Sequence, residues 1–434
     1  MPDVSFVNLL VIMIIAVLAP LFIGYSPRLR IPSVVVEIIA GVIVGPSVLG
    51  WVHVDLPVQI LSLIGLAFLL FLAGLEIDLR QLRGRLLRMA ALGYVMTLAL
   101  GLGLGGLFAG LGWTASPMLI AIALSATSLG LVVPVLKDAG KAESPIGQTT
   151  IAAATIADFT AIVLLTLFFS ASGGSIGGKL LLLGTFAGLV GVVALVLTRA
   201  GRSMHLGAVL VRLQDTTAEI RIRFAVLLLV AFVALAERFG LETILGAFLA
   251  GAVVGLVDSD SSSHPHFRVK LDAIGYGFLI PVFFVTSGVR LDLRGLFAEP
   301  SALLRVPVFL LALLVIRGLP ALLYLKAVGR RQSVAAGLLQ ATSLPFIVTA
   351  SSIGVEVGSI SQVTGAALVS AGLLSVLIFP AIALSSLKES GPTQSVEPPA
   401  PNGQAGNGHV ENQRAEQEMR QRREGRLGAR QERM

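Results

Sequence analysis

Apolar stretches long enough to cross a lipid bilayer recur along most of the chain, and this recurrence constrains the fold more than any other feature. A membrane-spanning helix needs about 20 predominantly apolar residues. We find thirteen such stretches, centred near residues 14, 41, 66, 98, 126, 158, 189, 228, 249, 279, 314, 342 and 373. Because the lipid interior offers no hydrogen-bond partners to the backbone, such spans are helical. The sequence therefore predicts an all-α polytopic membrane protein with transmembrane helices 1–13.

The character of the chain changes near residue 387. Residues 1–387 form the predicted membrane domain, whereas residues 388–434 contain no aromatic residue and are rich in polar residues, Pro and Gly. Such a segment cannot bury enough apolar surface to fold alone, so we expect a disordered cytoplasmic tail.

Composition narrows the class of protein further. The chain is 55% hydrophobic and 13% charged and has no cysteine, which argues against a cytosolic enzyme and excludes thiolate metal sites. We expect no enzymatic activity and no cofactor. The formal net charge of +7 is interpreted as a topology signal rather than as a sign of nucleic-acid binding.

Three short motifs of the first half return in the second half, in the same order and at nearly the same spacing. The paired segments are 40–45 with 250–255, 74–80 with 288–294, and 126–129 with 341–344. The spacings of 210, 214 and 215 residues pair each predicted helix n with helix n + 7. Because seven is odd, the two halves cross the membrane in opposite directions. We therefore predict inverted repeats of helices 1–6 and 8–13, an arrangement typical of secondary transporters.

Lysine and arginine indicate the orientation in the membrane. They are concentrated in the loops that follow odd-numbered helices, and such loops are cytoplasmic by the positive-inside rule. We therefore expect an N-terminus outside, a cytoplasmic tail, and a multi-pass location in a bacterial inner (plasma) membrane.

Predicted helices 5 and 12 carry polar side chains at mid-membrane depth. Helix 5 contains Thr127 and Ser128, and helix 12 contains Thr342, Ser343 and Pro345. Proline removes a backbone donor, and an interrupted helix frees carbonyl groups that can coordinate a cation. A kinked helix whose hydroxyls bond to their own backbone is the alternative for either segment alone. The occurrence of both segments at corresponding places favours two discontinuous helices that form a site.

Asp158 is the residue that says most about function. It lies well inside predicted helix 6, where insertion of a carboxylate costs about 2.5–3.5 kcal/mol. Because burial disfavours the charged form of a carboxylate, such a group can hold either a proton or a metal cation. Competition between the two at one carboxylate is the minimum that an exchanger needs. A structural hydrogen bond or ion pair is the alternative interpretation.

Three further polar residues lie deep in the predicted membrane domain. Arg317, in predicted helix 11, is either a charge partner of Asp158 or an arginine bonded to carbonyls at a broken helix end. Glu37 in helix 2 and Thr155, three residues before Asp158, are candidates to line a cavity. No Walker A motif occurs, so ATP is not expected to power the protein.

The motifs EIIAGVIVGPSVLG at 37–50 and LLFLAGLEID at 69–78 resemble those of the Kef-type and sodium–proton exchanger branch of the cation–proton antiporters. Segments at 246–251 and 281–288 fit the same family, and the resemblance covers residues 5–387. It implies a homodimer with a dimerisation subdomain and a moving core subdomain that contains two crossed discontinuous helices. It also implies that Asp158 binds the ion and that Arg317 neutralises the site.

Two positions depart from the family pattern. Ala157 stands where the family usually has Asp, Asn or Gln, which leaves one carboxylate and suggests one proton per cation, hence electroneutral exchange. Residues 342–346 read TSLPF, whereas many Kef-type members carry a run similar to GGEF. This second difference argues against potassium selectivity.

The predicted function is exchange of a monovalent cation for H⁺ by alternating access in pH homeostasis, with Na⁺ favoured over K⁺ or Li⁺. Asp158 is the shared site for the proton and the transported cation. The remaining cation ligands come from freed carbonyls and from the hydroxyls of Thr127, Ser128, Thr342 and Ser343. The alternatives are a K⁺/H⁺ antiporter or efflux system, a transporter-like membrane sensor or scaffold, and an organic-anion symporter with the same inverted repeats.

Overall fold

The computed structural model describes residues 5–25, 32–76, 84–138, 140–169, 176–201, 219–257 and 265–388, and every regular element in these ranges is helical. The helices are α1 (Val7–Tyr25), α2 (Ser33–Val44), α3 (Leu56–Leu75), α4 (Gly84–Gly110), α5 (Pro117–Ser125), α6 (Leu129–Asp138), α7 (Pro145–Phe169), α8 (Ile176–Gly201), α9 (Ile220–Arg238), α10 (Thr243–Val257), α11 (Pro265–Ile274), α12 (Ile280–Val289), α13 (Leu293–Ala298), α14 (Pro300–Gly318), α15 (Leu325–Val328), α16 (Arg330–Gln340), α17 (Pro345–Glu356) and α18 (Gln362–Lys388). A π-helical turn, Gly275–Leu279, joins α11 to α12, and a 3-10 segment, Leu319–Tyr324, continues α14. The predicted all-α fold class is confirmed for these residues.

The described helices account for fewer certain membrane spans than the sequence predicts. Eight are long and apolar enough to cross a membrane, or nine if α16 and α17, bent by 42° relative to each other, form one span. Three shorter apolar helices cover 33–44, 117–133 and 243–257. A described helix or helix break lies at each of the thirteen predicted centres, but the count of thirteen spans stays a prediction. The predicted tail lies outside the described residues, except for Lys388 at the end of α18.

Helices α2 and α12 cross with their backbones in contact. A Cβ atom on Gly41 of α2 would overlap the carbonyl oxygen of Val285 in α12, and a Cβ atom on Gly288 of α12 would overlap the carbonyl oxygen of Ile38 in α2. Only glycine permits such an approach, which is common where apolar helices pack in membranes.

Helices α3 and α10 cross in the same way. Gly74 of α3 lies against the carbonyl oxygen of Phe248 in α10, and Gly251 of α10 lies against the carbonyl oxygen of Phe71 in α3. The four helices of these two crossings form one wall of the cavity described below.

Helix α7, which contributes to the opposite wall, packs in a bundle with α4, α5 and α14. Gly105 of α4 lies against the backbone of Pro117 at the start of α5, so these helices also pack closely. The rings of Phe108, Trp113 and Phe309 cluster at the same end of the bundle, with centroids 5.2–5.7 Å apart. This packing fixes α5 and the helix break that follows it.

Candidate functional site

The helical path through predicted helix 5 is interrupted for three residues. α5 ends at Ser125, residues 126–128 are not helical, and α6 begins at Leu129. The Ser128 carbonyl accepts two N–H groups from the first turn of α6 at 3.0 and 3.1 Å. The backbone N–H groups of residues 127–129 have no helical partner and bond elsewhere, as expected at a helix start.

Predicted helix 12 is interrupted in a similar way. α16 ends at Gln340, and α17 begins with Pro345, whose fixed φ suits the first position of a helix. Ser375 of α18 supports the break, because its hydroxyl accepts the Ser343 N–H at 3.2 Å and donates to the Ser343 carbonyl at 3.1 Å. The proline stops α16 from continuing, and the serine satisfies the backbone groups that this frees.

The two breaks bond directly to each other. The Ser128 N–H donates to the Thr342 carbonyl at 2.9 Å, and the Thr127 hydroxyl donates to the Gln340 carbonyl at 2.7 Å. These bonds satisfy polar backbone groups that would otherwise be buried without a partner, at a cost of about 1–3 kcal/mol each. The structure thus brings predicted helices 5 and 12 together at their interruptions.

Asp158 of α7 faces the first break. Its Oδ1 accepts the Thr127 N–H at 2.9 Å, and its Oδ2 accepts the Leu129 N–H at 3.4 Å. The N-terminus of α6 therefore points at the carboxylate, and the helix dipole favours negative charge there. Two amide donors fix the carboxylate and leave further lone pairs available, because an ionised carboxylate can accept about four hydrogen bonds.

Arg317 of α14 lies at the broken helix ends and is only 2% exposed. Its Nε donates to the Thr127 hydroxyl at 3.0 Å and to the Gln340 carbonyl at 3.3 Å, and one terminal nitrogen reaches the Thr97 hydroxyl at 3.3 Å. Within the part of the chain that the structure describes, no ion pair joins Arg317 to Asp158. Thr127 lies between them, and Arg317 bonds to a broken helix end, while its role as a charge partner of Asp158 stays a prediction.

A cavity lies between α2, α3, α10 and α12 on one side and α6, α7 and α17 on the other. Four residues predicted for the site line it, and these are Thr127, Ser128, Asp158 and Pro345. Two further polar side chains, Glu76 and Tyr276, also line it. The rest of the lining is Gly130 and the apolar residues Val34, Leu69, Leu70, Ala73, Leu129, Leu131, Ile162, Phe248, Phe284 and Phe346.

Besides Arg317, four residues predicted for the site are not among those that line the cavity. Thr155 and Thr342 each donate their hydroxyl to the carbonyl four residues earlier, at 2.9 and 3.2 Å. Ser343 is fully buried and Glu37 is 4% exposed. In this conformation the second break contributes Pro345 to the cavity lining, and its Thr342 carbonyl bonds to the first break. The hydroxyls of Thr342 and Ser343 do not line the cavity.

Two residues that line the cavity were missed by the sequence analysis. Glu76 follows the last residue of α3, a position where a solvated helix end is the ordinary interpretation, although it belongs to the LLFLAGLEID motif. Nothing in the sequence around Tyr276 indicates a function, apart from an aromatic residue between Gly275 and Gly277.

Comparison with protein-family models decides the family. The model described as "Sodium/hydrogen exchanger, transmembrane" matches residues 13–384. This chain belongs to the sodium/hydrogen exchanger family. Membership of the cation–proton antiporter superfamily, which the sequence motifs implied, is thereby confirmed.

Relatives of this exchanger carry corresponding names. It is 35% identical over 399 residues to the putative Na(+)/H(+) antiporter YjbQ of Bacillus subtilis (strain 168), covering 88% of this chain and 63% of that protein. It is 28% identical over 275 residues to the Na(+)/H(+)-K(+) antiporter GerN of Bacillus cereus, covering 62% of this chain and 68% of that protein. The chain thus spans less than two thirds of the length of the Bacillus subtilis relative. Both relatives are named as antiporters, in line with the expectation that the chain is not an enzyme.

A solved structure has the same fold. The sodium proton antiporter MjNhaP1 from Methanocaldococcus jannaschii, at pH 8, superimposes on the exchanger with a TM-score of 0.64. The match covers 88% of this chain and 98% of that chain at 19% sequence identity. At this identity the likeness shows the fold alone.

Proposed function

We propose that this exchanger moves a monovalent cation in one direction and a proton in the other, with Na⁺ as the preferred cation. The observation that carries the proposal is the position of Asp158. Its carboxylate lines the cavity and is held by two backbone N–H groups at a helix break. A proton and a metal cation compete for the same oxygens, so one site serves both substrates in turn. The names of the relatives support cation–proton exchange.

The oxygen atoms around Asp158 suit an alkali-metal cation, because hard cations prefer oxygen ligands. Ser128 lines the cavity beside Asp158 and offers its hydroxyl. The Thr127 hydroxyl is already engaged by Arg317 and Gln340, so Thr127 contributes its carbonyl instead. Water molecules complete the coordination shell on the open side of the cavity.

Arg317 is proposed as a fixed positive charge rather than as a titrating group. Arginine stays protonated in proteins, and its planar fork can bond to several oxygens at once. Here it donates to the Gln340 carbonyl, at the negative end of the α16 dipole, and to the Thr127 hydroxyl. Arg317 therefore neutralises the crossed helix ends in every step of the cycle and does not compete for the transported ion.

The number of carboxylates sets the proposed stoichiometry. Ala157, beside Asp158, is fully buried and cannot bind a proton or a cation. One carboxylate then exchanges one cation for one proton. We therefore propose an electroneutral cycle.

The glycine crossings support inverted repeats and alternating access. Gly41 and Gly251 are equivalent under the spacing of 210 residues, and Gly74 and Gly288 under the spacing of 214. Each meets a carbonyl oxygen of the helix that it crosses, and those carbonyls come from residues that are equivalent in the same way. The α2–α12 and α3–α10 crossings are thus counterparts, as expected for two inverted six-helix repeats in a thirteen-helix protein.

The cavity reaches the predicted cytoplasmic side. Glu76 at its mouth interacts electrostatically with Lys137 and Arg268, two of the basic residues that indicate that side. We therefore propose an inward-facing state.

Helix α1 is apolar, yet only 17% of an 18-residue window within it is buried inside the chain. We propose that lipid and a second copy of the chain, in a homodimer, cover this apolar surface.

The decisive experiment measures proton flux in proteoliposomes that contain a pH-sensitive dye, with Na⁺, Li⁺ and K⁺ added in turn. We expect Na⁺-dependent proton flux in the wild type and none in Asp158→Asn, because the amide cannot exchange a proton for a cation. The control is Glu237→Gln, which changes an exposed carboxylate outside the cavity and should leave flux unchanged. Wild-type flux in Asp158→Asn would refute the proposal.

A K⁺/H⁺ exchanger is the second candidate, because the name of the relative GerN includes K⁺ as well as Na⁺. The same vesicles decide between the two. Flux with K⁺ that exceeds the flux with Na⁺ at equal concentration would reverse the proposed preference while leaving the role of Asp158 intact.

A further inference from the structure

Tyr276 occupies an irregular place in the long helical run of α11 and α12. Gly275–Leu279 forms a π-helical turn in which the Ile280 N–H bonds to the Gly275 carbonyl, five residues earlier. Single π turns insert one extra residue into a helix, redirect side chains, and often occur at functional sites. Tyr276 lies in this turn, lines the cavity and is 46% exposed.

The π turn is fixed against α3. A Cβ atom on Gly275 would lie 2.8 Å from Cδ1 of Leu72 and 3.0 Å from Cδ1 of Phe68. At the other end of the turn, a Cβ atom on Gly65 would overlap the Leu279 carbonyl oxygen. Close packing at both ends restricts the backbone that carries Tyr276.

The Tyr276 hydroxyl lies beside the first turn of α6, whose N-terminus holds the Asp158 carboxylate. A Cβ atom on Gly130 would be 3.4 Å from this hydroxyl, and Gly130 follows Leu129, whose N–H holds the Asp158 carboxylate. Glu76, which follows α3, lines the same cavity as the phenol and Asp158. An ion that moves through this cavity to Asp158 can therefore meet the phenol oxygen.

We propose that Tyr276 is a specificity-determining residue whose hydroxyl oxygen replaces one water molecule of an alkali-metal cation as the cation moves from Glu76 to Asp158. The inference rests on the proposed exchange function. Around Tyr276 the cavity is lined mainly by apolar side chains, so a fixed phenol oxygen is one of few groups that can replace lost water. Selectivity among alkali cations depends on the number and strength of such fixed oxygen dipoles.

The test compares Tyr276→Phe with the wild type in the vesicle assay, over a range of Na⁺, Li⁺ and K⁺ concentrations. Loss of one neutral ligand should raise the apparent KM for Na⁺ by about three- to tenfold. Because the chemistry at Asp158 is untouched, kcat should not change. The Na⁺-to-K⁺ ratio of kcat/KM should fall. Tyr25→Phe removes the hydroxyl of a 93% exposed tyrosine in α1 and is the matched control.

A second variant tests the position of the hydroxyl without removing it. Gly130→Ala adds a methyl group at van der Waals distance from the phenol oxygen and should shift the apparent KM for Na⁺ in the same direction by a smaller factor. The proposal is overturned if Tyr276→Phe keeps the wild-type KM and selectivity, or if only kcat falls, equally for all three cations. If the wild type itself shows no cation-dependent flux, the proposed function fails, which is a different result.

Discussion

At the scale of single residues, Thr127 connects the two buried charges. Its N–H donates to Asp158, while its hydroxyl accepts from Arg317 and donates to the Gln340 carbonyl. One residue therefore positions the carboxylate with its backbone and the guanidinium with its side chain. Threonine can do both because the hydroxyl is at once a donor and an acceptor.

Replacement of Thr127 by valine keeps the backbone N–H and the shape of the side chain but removes the hydroxyl. We expect a loss of stability of about 1–3 kcal/mol, because a buried donor of Arg317 and the Gln340 carbonyl lose a partner. Cation–proton exchange should fall together with the stability of the fold. Thr127→Ser retains the hydroxyl and should keep both the stability and the exchange rate close to the wild-type values. Thermal unfolding in detergent and vesicle flux measure the two effects, and a Thr127→Val protein as stable as Thr127→Ser would contradict the assigned contacts.

Two charged residues deep in spanning segments could be located from sequence, whereas Glu76 and the orientation of several polar side chains could not. Asp158 and Arg317 stand out because a charge in a spanning segment is costly and rare. Thr342 and Ser343 match Thr127 and Ser128 in sequence, yet their hydroxyls lie outside the cavity lining. Which atom of a broken segment faces the cavity depends on the rotation of the helix end, and the pattern of residues does not determine that rotation.

At the scale of helices, the glycine contacts determine how closely the two crossing pairs pack. Gly41 and Gly251 lie at the α2–α12 and α3–α10 crossings, and each faces a carbonyl oxygen of the partner helix with no room for a methyl group. Because backbone rather than a flexible side chain occupies the space, the helices themselves have to separate to admit an alanine.

We expect Gly41→Ala and Gly251→Ala to lower thermal stability by similar amounts, about 1–3 kcal/mol, as for other overpacked interfaces. Gly103→Ala is the control, because a Cβ atom on this α4 glycine meets nothing within 4 Å and alanine is the better helix former. Size-exclusion chromatography after heating measures the fraction of folded protein that remains, and each of the three variants is compared with the wild type. Equal stability of Gly41→Ala and Gly103→Ala would contradict the close crossing.

Helix positions followed from the sequence more readily than helix contacts. Apolar stretches located α1, α3 and α18, because lipid and protein interior are both apolar environments. For the same reason, the sequence does not distinguish the helix face that contacts lipid from the face that contacts another helix. Short helices such as α2 (Ser33–Val44) fall below the usual spanning length. The cavity lining could not be predicted for the same reason, since Glu76, Tyr276 and Asp158 come to one cavity from distant segments of the chain.

At the scale of the whole molecule, the charge of the transport site governs the energetics of the cycle. In the proposed cycle, a fixed Arg317 and one exchanging Asp158 give a site whose net charge is the same with a proton or with a monovalent cation bound. Each net charge moved across the membrane would be worth about 2.3 kcal/mol per 100 mV. A one-for-one exchange moves none.

The rate of Na⁺-driven proton flux should therefore be the same with the vesicle membrane potential clamped at zero and at about −100 mV. Internal pH, measured at both potentials with equal Na⁺ gradients, gives the comparison, and protein-free vesicles correct for passive proton leak. Acceleration of flux by several-fold at one potential would contradict one-for-one exchange and would require a second titrating group in the cycle.

The aromatic wall of the cavity has a consequence for the fidelity of coupling. Phe248, Phe284 and Phe346 make the cavity wall near Asp158 apolar. In the proposed cycle, a bare carboxylate that moves along this wall loses its water without gaining a cation. A carboxylate that carries either a proton or a cation is neutral and escapes this penalty. If the proposed cycle is correct, this apolar surface itself opposes slippage, the return of an empty carrier, and each substrate makes the movement of the other possible.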